Sequence, residues 1–405
     1  MRAVRFLVLT QYYPPEVGAA QTRLSAFARE LRQAGHTVEV VTAHPNYPSG
    51  KLQARDRFRL SRRETIDGID VHRLWLFPAT GTGLRRLISY LSFTATGLLG
   101  GLRATPPDVV FTESPPLFLG LAGWAIARRF SADFVLNVSD LWPDSVRDLG
   151  LMRGGPWLGM AERLERWLYR RATAVTAVTE GMREQLIQTK RVPPERVMFL
   201  PNGANIDTLH RVESPSARSA RPSILYLGTL GYAHGLDVVL DAAAIGDELD
   251  FILVGDGSEK LRLEREAKLR GLPNIRFEPP VPEGQVAARY AGASLGLSTL
   301  RASDLMDGVR PAKVIAMMAN ARAVLFSGGG EGAALVRAAG AGTVTPPGDA
   351  AALVKAAREM VSDRALAEEM GSNGRRYVVE NLTWPKLVAD WLEQLRAIRP
   401  QSRDA

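Results

Sequence analysis

An α/β fold of two doubly wound, Rossmann-like domains is predicted from three observations. Both halves of the chain open on the same strand–loop–helix–strand pattern. Short apolar runs of strand length then alternate with helical stretches, and one Ser/Pro/Arg-rich segment separates the halves. Length agrees, since at about 150 residues per domain a chain of 405 residues makes two or three domains with ample core.

In order, Val4–Thr10 (VRFLVLT) reads as the first strand, followed by a Pro/Gly loop through Gly18. An amphipathic helix carrying Leu24, Phe27, Ala28 and Leu31 ends at Gly35, and Thr37–Thr42 is the second strand. Val109–Thr112, Phe134–Val138 and Ala174–Val178 continue the first half, with a helix at Pro156–Arg171. The second half repeats the opening: Ser223–Leu227, the loop Gly228-Thr229-Leu230-Gly231, a helix across Leu236–Ala244, then Asp250–Val254 into Gly255-Asp256-Gly257. Ile275–Phe277, Leu295–Ser298, Ala323–Phe326 and Gly342–Thr345 are further strands, with a helix at Asp349–Val361. Glu213–Pro222 (ESPSARSARP) reads as a linker. The expected domains are 1–205 and 223–380, with a linker at 206–222. A terminal helix near Trp384–Ile398, within 381–405, is expected to pack back on the first domain. Two such sheets are expected to face each other across a cleft lined by the carboxyl-end loops of their strands.

Composition excludes several classes. With 46 % hydrophobic and 23 % charged residues the chain is neither disordered nor fibrous. Cysteine is absent, which removes disulfides, thiol catalysis and cysteine-ligated zinc and fits a reducing cytoplasm. The five histidines lack metal-ligand spacing. Net charge is +8, and all of it falls within residues 1–103, where 15 basic residues face 7 acidic ones. Lys51–Arg63 (KLQARDRFRLSRR) sets six basic residues against Asp56, which makes either a site for an anionic surface or a solvated basic loop. Phe6–Leu9 is too short for a signal-peptide core. Leu87–Leu102 is uncharged for 16 residues between Arg85-Arg86 and Arg103. As a helix it reaches about 24 Å, short of a bilayer core of about 30 Å, so it is a buried helix or one lying in a membrane interface.

The chemistry-bearing loops each keep two readings. Gly228–Gly231 lies between strand and helix, where small residues let backbone N–H groups approach a phosphate; a plain tight turn has the same composition. GxxxxGK[ST], a full G-x-G-x-x-G after either opening strand, and Asp-x-Asp are all missing. That argues against a P-loop ATPase, a nicotinamide or flavin dehydrogenase, and a carboxylate pair clamping a metal–diphosphate. In DGVRPAKVIAM, Pro311 starts a helix with Arg310 and Lys313 at its N-terminus: an anion site, or a helix with solvated ends. Glu331, after Gly328-Gly329-Gly330, suits ribose hydroxyls or a helix cap. In NVSDLWPD, Asp140 and Asp144 flank a rigid Trp-Pro, for acid–base work or for Asx-turn capping.

Taken together, these motifs resemble the glycosyltransferases of family 4, which have the GT-B fold. The ordered series QYYPPEVGAAQTR, AHPNYPSG, NVSDLWPDS, VTEGMREQL, PNGANIDTLH, LGTLGYAHGLDVVLDAA, LVGDG, RPAKVIAMMA and GGGEGAALVRAAGAGTVTPPGD covers nearly the whole chain. DLWPD and GTLGYAHGL are most similar to the WbuB-like branch, which implies transfer of an amino- or deoxysugar in surface polysaccharide assembly. The resemblance implies a retaining, metal-independent hexosyltransferase without cofactor. Its donor is expected to be a nucleotide diphosphate sugar, with UDP as the nucleotide, and its acceptor a polyprenyl-diphosphate-linked saccharide. It assigns Gly18 to the loop facing the donor phosphates, Gly231, Arg310 and Lys313 to the diphosphate, Glu331 to the nucleotide or sugar, and Asp140 to the reacting sugar. Asn46, Arg85 and Arg86 fall on the acceptor or membrane side. A cytoplasmic protein, peripheral on the inner face of the cell membrane and without nucleic-acid partners, is the expected setting.

Two departures stand out. Thr229 and His234 occupy positions where many members carry Arg and Lys, and the family's paired glutamates fall at Gly308 and Ala316. These losses leave open a non-catalytic nucleotide-sugar-binding partner, and a nucleotide-sugar 2-epimerase is a further reading on the same fold.

Overall fold

The β-rich apolar runs form two separate sheets, one in each of two units: Met1–Pro201 together with Trp384–Ala405, and Asn202–Thr383. The structure is a computed structural model that describes residues 3–16, 18–47, 49–79, 83–142, 156–205 and 221–399. The expected linker at 206–222, except for Arg221 and Pro222, lies outside the described residues, as does Asp144.

The first sheet has eight strands: β1 (Arg5–Leu9), β2 (Thr37–Ala43), β3 (Ser61–Ile66), β4 (Ile69–Leu74), β5 (Val109–Ser114), β6 (Asp133–Val138), β7 (Ala174–Ala177) and β8 (Val197–Phe199). Their order is β3-β4-β2-β1-β5-β6-β7-β8. Every neighbouring pair is parallel except β3 and β4. Helices cover both faces of the central strands, which is why β5 and β6 are buried at all six positions and read as unbroken apolar runs. The helix Trp384–Ile398 belongs to this unit. Its Trp391 ring packs edge-on against Phe27 and Phe111, at centroid distances of 4.9 and 5.6 Å, and its indole N–H donates to Thr176 Oγ1 at 3.1 Å. Such ring pairs add roughly 0.5–1.5 kcal/mol each beyond area burial.

The second sheet has six strands, all parallel: β9 (Ser223–Leu227), β10 (Asp250–Val254), β11 (Ile275–Glu278), β12 (Leu295–Thr299), β13 (Val324–Ser327) and β14 (Gly342–Thr345). The order β11-β10-β9-β12-β13-β14 reverses direction between β9 and β12. In the first sheet the corresponding reversal is between β1 and β5. Ligands of doubly wound sheets bind outside the carboxyl ends of the strands at such points.

Two regions add to the sequence reading. The end of the basic run Lys51–Arg63 is not loop but the start of β3, in a hairpin turned by Asp67-Gly68 at φ 51° and 73°. A two-residue turn with both φ positive fits the twist of an antiparallel pair. The charges inside this hairpin are largely satisfied. Arg62 lies 3.1 Å from Asp56 and 2.5 Å from Glu64, and the buried Arg73 donates to Glu64 and to the carbonyls of Pro14 and Ala43.

The other region is Leu87–Leu102, a helix as expected, which spans Leu84–Gly101 and keeps its glycines within it. A Cβ at Gly100 would run into Leu74 of β4, and one at Gly101 into Ile126 of the helix Leu119–Phe130, so the glycines bring this helix close to the sheet and to its neighbouring helix. Among the described residues no helix is long and apolar enough to cross a membrane.

Candidate active site

In the second unit the loop after β9 is built around glycine. Gly228 has φ 148°, and a Cβ there would lie 3.3 Å from Lys313 Cε. The loop is clamped to the β10 end by Gly228 N–H to the Val254 carbonyl (2.9 Å) and Leu230 N–H to the Asp256 carbonyl (2.8 Å). Gly231 differs: its backbone is extended, and the nearest atoms to an added Cβ are at 3.5 and 3.9 Å. The chain itself therefore needs glycine at 228, and any need at 231 comes from a ligand. Gly231→Val is expected to leave the melting temperature nearly unchanged while weakening UDP binding. Gly228→Ala is expected to cost about 1–3 kcal/mol of stability in denaturant unfolding, because its φ disfavours a side chain.

Lys313 projects from the first turn of the helix Ala312–Ala319 to this loop. Its Nζ donates to Tyr226 Oη at 2.5 Å, lies 4.2 Å from the Tyr226 ring centroid and is 3.4 Å from His234 Nδ1. Tyr226, on β9, donates to the Thr229 carbonyl at 2.6 Å and so ties lysine and loop together. Burial brings the Lys313 ammonium down to about 7. Burial first, and Lys313 second, push His234 down to about 3, so the imidazole is neutral at ordinary pH. Lys313 is thus a desolvated lysine held beside the Gly228–Gly231 loop, at the carboxyl end of β9.

Arg310 and Glu331, assigned separate roles from the sequence, pair with each other at 3.3 Å with both side chains largely buried. Glu331 lies in the first turn of the helix Gly330–Ala338, where a carboxylate is favoured by the helix dipole. The turn before it needs its glycines, because a Cβ at Gly330, where φ is 57°, would collide with the Asp307 backbone. Ala316 is half-buried in the helix that bears Lys313 and supplies no carboxylate.

In the first unit Gly18 precedes the helix Ala19–Gln33, and its carbonyl accepts the Thr22 N–H at 3.0 Å. Asp140 lies half-buried in the loop after β6, and its carbonyl accepts the Trp142 N–H at 2.9 Å. Its neighbour Ser139 donates to Glu113 Oε1 at 2.7 Å. Glu113, buried near the end of β5, also accepts from Arg23 (2.6 Å) and from Asn137 (2.5 Å). One buried carboxylate thus joins the helix that follows Gly18 to the loop that carries Asp140.

Asn46 is buried: its Nδ2 donates to the His44 carbonyl at 3.0 Å and its N–H to Glu16 Oε1 at 2.8 Å, which fixes the loop after β2. Arg85 is exposed. Arg86 turns inward, donating to Tyr12 Oη (2.5 Å) and the Ala79 carbonyl (2.7 Å) with Tyr90 beneath it, so it presents little charge outward. Glu113 and Tyr226 were not found from the sequence, where the acidic end of an apolar strand and a lone strand tyrosine carry no motif. Among the described residues no group of three His, Asp or Glu side chains is placed to hold a metal.

The glycosyl transferase 4-like domain model matches residues 18–203, and the glycosyl transferases group 1 model matches residues 211–377. WcaI of Escherichia coli K12, a glycosyl transferase named for colanic acid biosynthesis, is 30 % identical over 294 residues, 68 % of this chain and 72 % of WcaI. A GDP-mannose-dependent alpha-mannosyltransferase of Mycolicibacterium smegmatis is 27 % identical over 302 residues, 71 % of each chain. Among solved structures, Anabaena Alr3699/HepE in complex with UDP and glucose superposes with a TM-score of 0.72 at 17 % identity, covering 97 % of this chain and 99 % of that one. That likeness gives the fold as GT-B. With both domain models in tandem and a relative of this identity and coverage, the chain belongs to family 4 of the glycosyltransferases and is a glycosyltransferase enzyme.

Proposed function

We propose that this enzyme moves a sugar from a UDP-linked donor to a lipid-linked saccharide in surface polysaccharide assembly, retaining the anomeric configuration. The observation that carries the reading is Lys313, desolvated between Tyr226 and His234 at the switch point beside the Gly228–Gly231 loop. As the glycosidic bond breaks, negative charge collects on the departing diphosphate. A cation and backbone N–H groups already in place there stabilise that charge without reorganising. Arg310, three residues before Lys313 and paired with Glu331, is the second cation proposed for the diphosphate. Asp140 is the carboxylate proposed to face the reacting sugar, on a loop tethered through Ser139 to Glu113. The first unit is proposed to take the acceptor and the second the donor, at the inner face of the cell membrane. The colanic acid relative and the UDP complex of HepE support polysaccharide assembly and UDP, and the WbuB-like motifs favour an amino- or deoxysugar.

One observation favours a second reading. Ala316 removes the carboxylate expected on the Lys313 helix, which suits a nucleotide-sugar-binding partner without turnover. A panel of UDP-, GDP- and ADP-sugars, assayed for nucleoside diphosphate release with and without membrane lipid extract, decides. Release from UDP-sugars only when extract is present supports the proposal. Preference for GDP-sugars overturns the choice of base, release without extract alongside an epimerised sugar marks an epimerase, and binding without release supports the non-catalytic partner.

A further inference from the structure

We infer that the first unit docks on an anionic phospholipid leaflet through one continuous face, formed by the Phe58–Leu60 turn and the outer stripe of the Leu84–Gly101 helix. The inference rests on the membrane-side location proposed above and names the surface that provides it. Phe58 is 93 % and Leu60 79 % exposed. This exposure is built into the turn: Asp56 is buried with His44 Nδ1 at 3.5 Å and Arg62 Nε at 3.1 Å, and the Arg59 carbonyl lies 3.0 Å from His44 Nε2. Pinned on both sides, the turn holds Phe58 outward.

The helix repeats the pattern. Leu84, Ile88, Leu91, Ala95, Leu99 and Leu102 recur at steps of three and four, so they share one face, and all six are exposed. The opposite face, with Ser89, Phe93 and the three glycines, packs inward. An apolar stripe of this length left in water marks an interaction surface. The turn and the helix are joined by one strand end. Trp75 N–H donates to the Leu60 carbonyl at 2.9 Å, Thr96 Oγ1 of the helix donates to the Trp75 carbonyl at 2.7 Å, and Phe77 N–H donates to Ser92 Oγ at 2.9 Å.

Charge selects the partner. Lys51, Arg55, Arg57, Arg59 and Arg63 are exposed around Phe58 and Leu60, and Arg85 and Arg103 are exposed at the two ends of the helix. The one acid within Lys51–Arg63, Asp56, is buried, and no acidic residue occurs between Asp70 and Asp108. Arg57-Phe58-Arg59-Leu60 alternates cation and apolar group, which suits guanidinium groups at headgroup depth above inserted side chains. A second copy of this face would bring like charge against like charge.

The test is flotation with vesicles of phosphatidylglycerol and phosphatidylcholine in equal parts, against phosphatidylcholine alone. Three variants are compared with the parent: Phe58→Ser with Leu60→Ser, Leu84→Ser with Ile88→Ser and Leu91→Ser, and Arg57→Glu with Arg59→Glu. All change exposed side chains, and unchanged melting and UDP affinity confirm intact folding. The parent is expected to bind only anionic vesicles and to release with salt, and each variant to lose about tenfold or more in partitioning. Brominated lipid is expected to quench the fluorescence of Phe58→Trp. If the parent ignores anionic vesicles, the membrane location itself fails. If the parent binds and the variants bind equally, this face fails while the location stands. A lipid-free dimer that the Phe58 and Leu60 changes dissociate would also overturn the inference.

Discussion

Lys313→Ala is expected to weaken UDP binding roughly tenfold to a hundredfold, the worth of one charge-assisted contact of about 1.5–3 kcal/mol. The environment of the lysine adds a pH signature. Burial brings its ammonium down to about 7, so near neutrality the empty site is only partly charged. A diphosphate favours the ammonium and raises its pKa in the complex. Below about pH 7 the cation is already present, whereas above it each binding event must draw a proton from solvent, and affinity falls towards tenfold per pH unit. Titration calorimetry at about pH 8, in buffers of different ionisation heat, should show uptake near one proton for the parent and none for Lys313→Met. Ionisation of UDP itself is common to both proteins and cancels in the comparison. Equal affinity and equal proton uptake in parent and variant would remove Lys313 from the donor site.

Asp140→Asn keeps the shape of the side chain and removes its charge. Transfer is expected to fall about a hundredfold or more in kcat, with donor affinity within about threefold, the pattern of an interaction made mainly in the transition state. The buried Glu113 fixes the Ser139 hydroxyl beside Asp140, so the loop should keep its geometry in the variant. Steady-state rates beside a melting curve separate the two roles. An unchanged kcat with melting lowered by several degrees would show that Asp140 serves as a turn cap.

Most strands were legible because parallel sheets covered on both faces demand unbroken apolar runs, as in β5 and β6. The β3–β4 hairpin was missed for the converse reason. SRRETI alternates exposed and half-buried positions on an edge strand, so its arginines read as loop, although Asp67-Gly68 was a usable turn signal. In the second unit, chain position put the glycine loop after β9 and Lys313 at a helix start, and left open whether either binds an anion. Which glycine the backbone needs, 228 rather than 231, depends on a φ angle that composition does not carry. The pairing of Arg310 with Glu331, and the inward turn of Arg86 onto Tyr12, depend on packing between segments distant in sequence. Phe58 and Leu60 were hidden inside a basic run, and only the burial of Asp56 shows which way the turn faces.

Acceptor-dependent sugar transfer at the Lys313 site is read by following a radiolabelled sugar from its UDP donor into an organic-extractable product. Label is expected in the lipid fraction only when lipid-linked acceptor is supplied, with one UDP released for each sugar transferred, an anomeric linkage that matches the donor, and loss of both signals in Lys313→Ala. Donor bound and consumed without label in lipid, or Lys313→Ala transferring as fast as the parent, would contradict it.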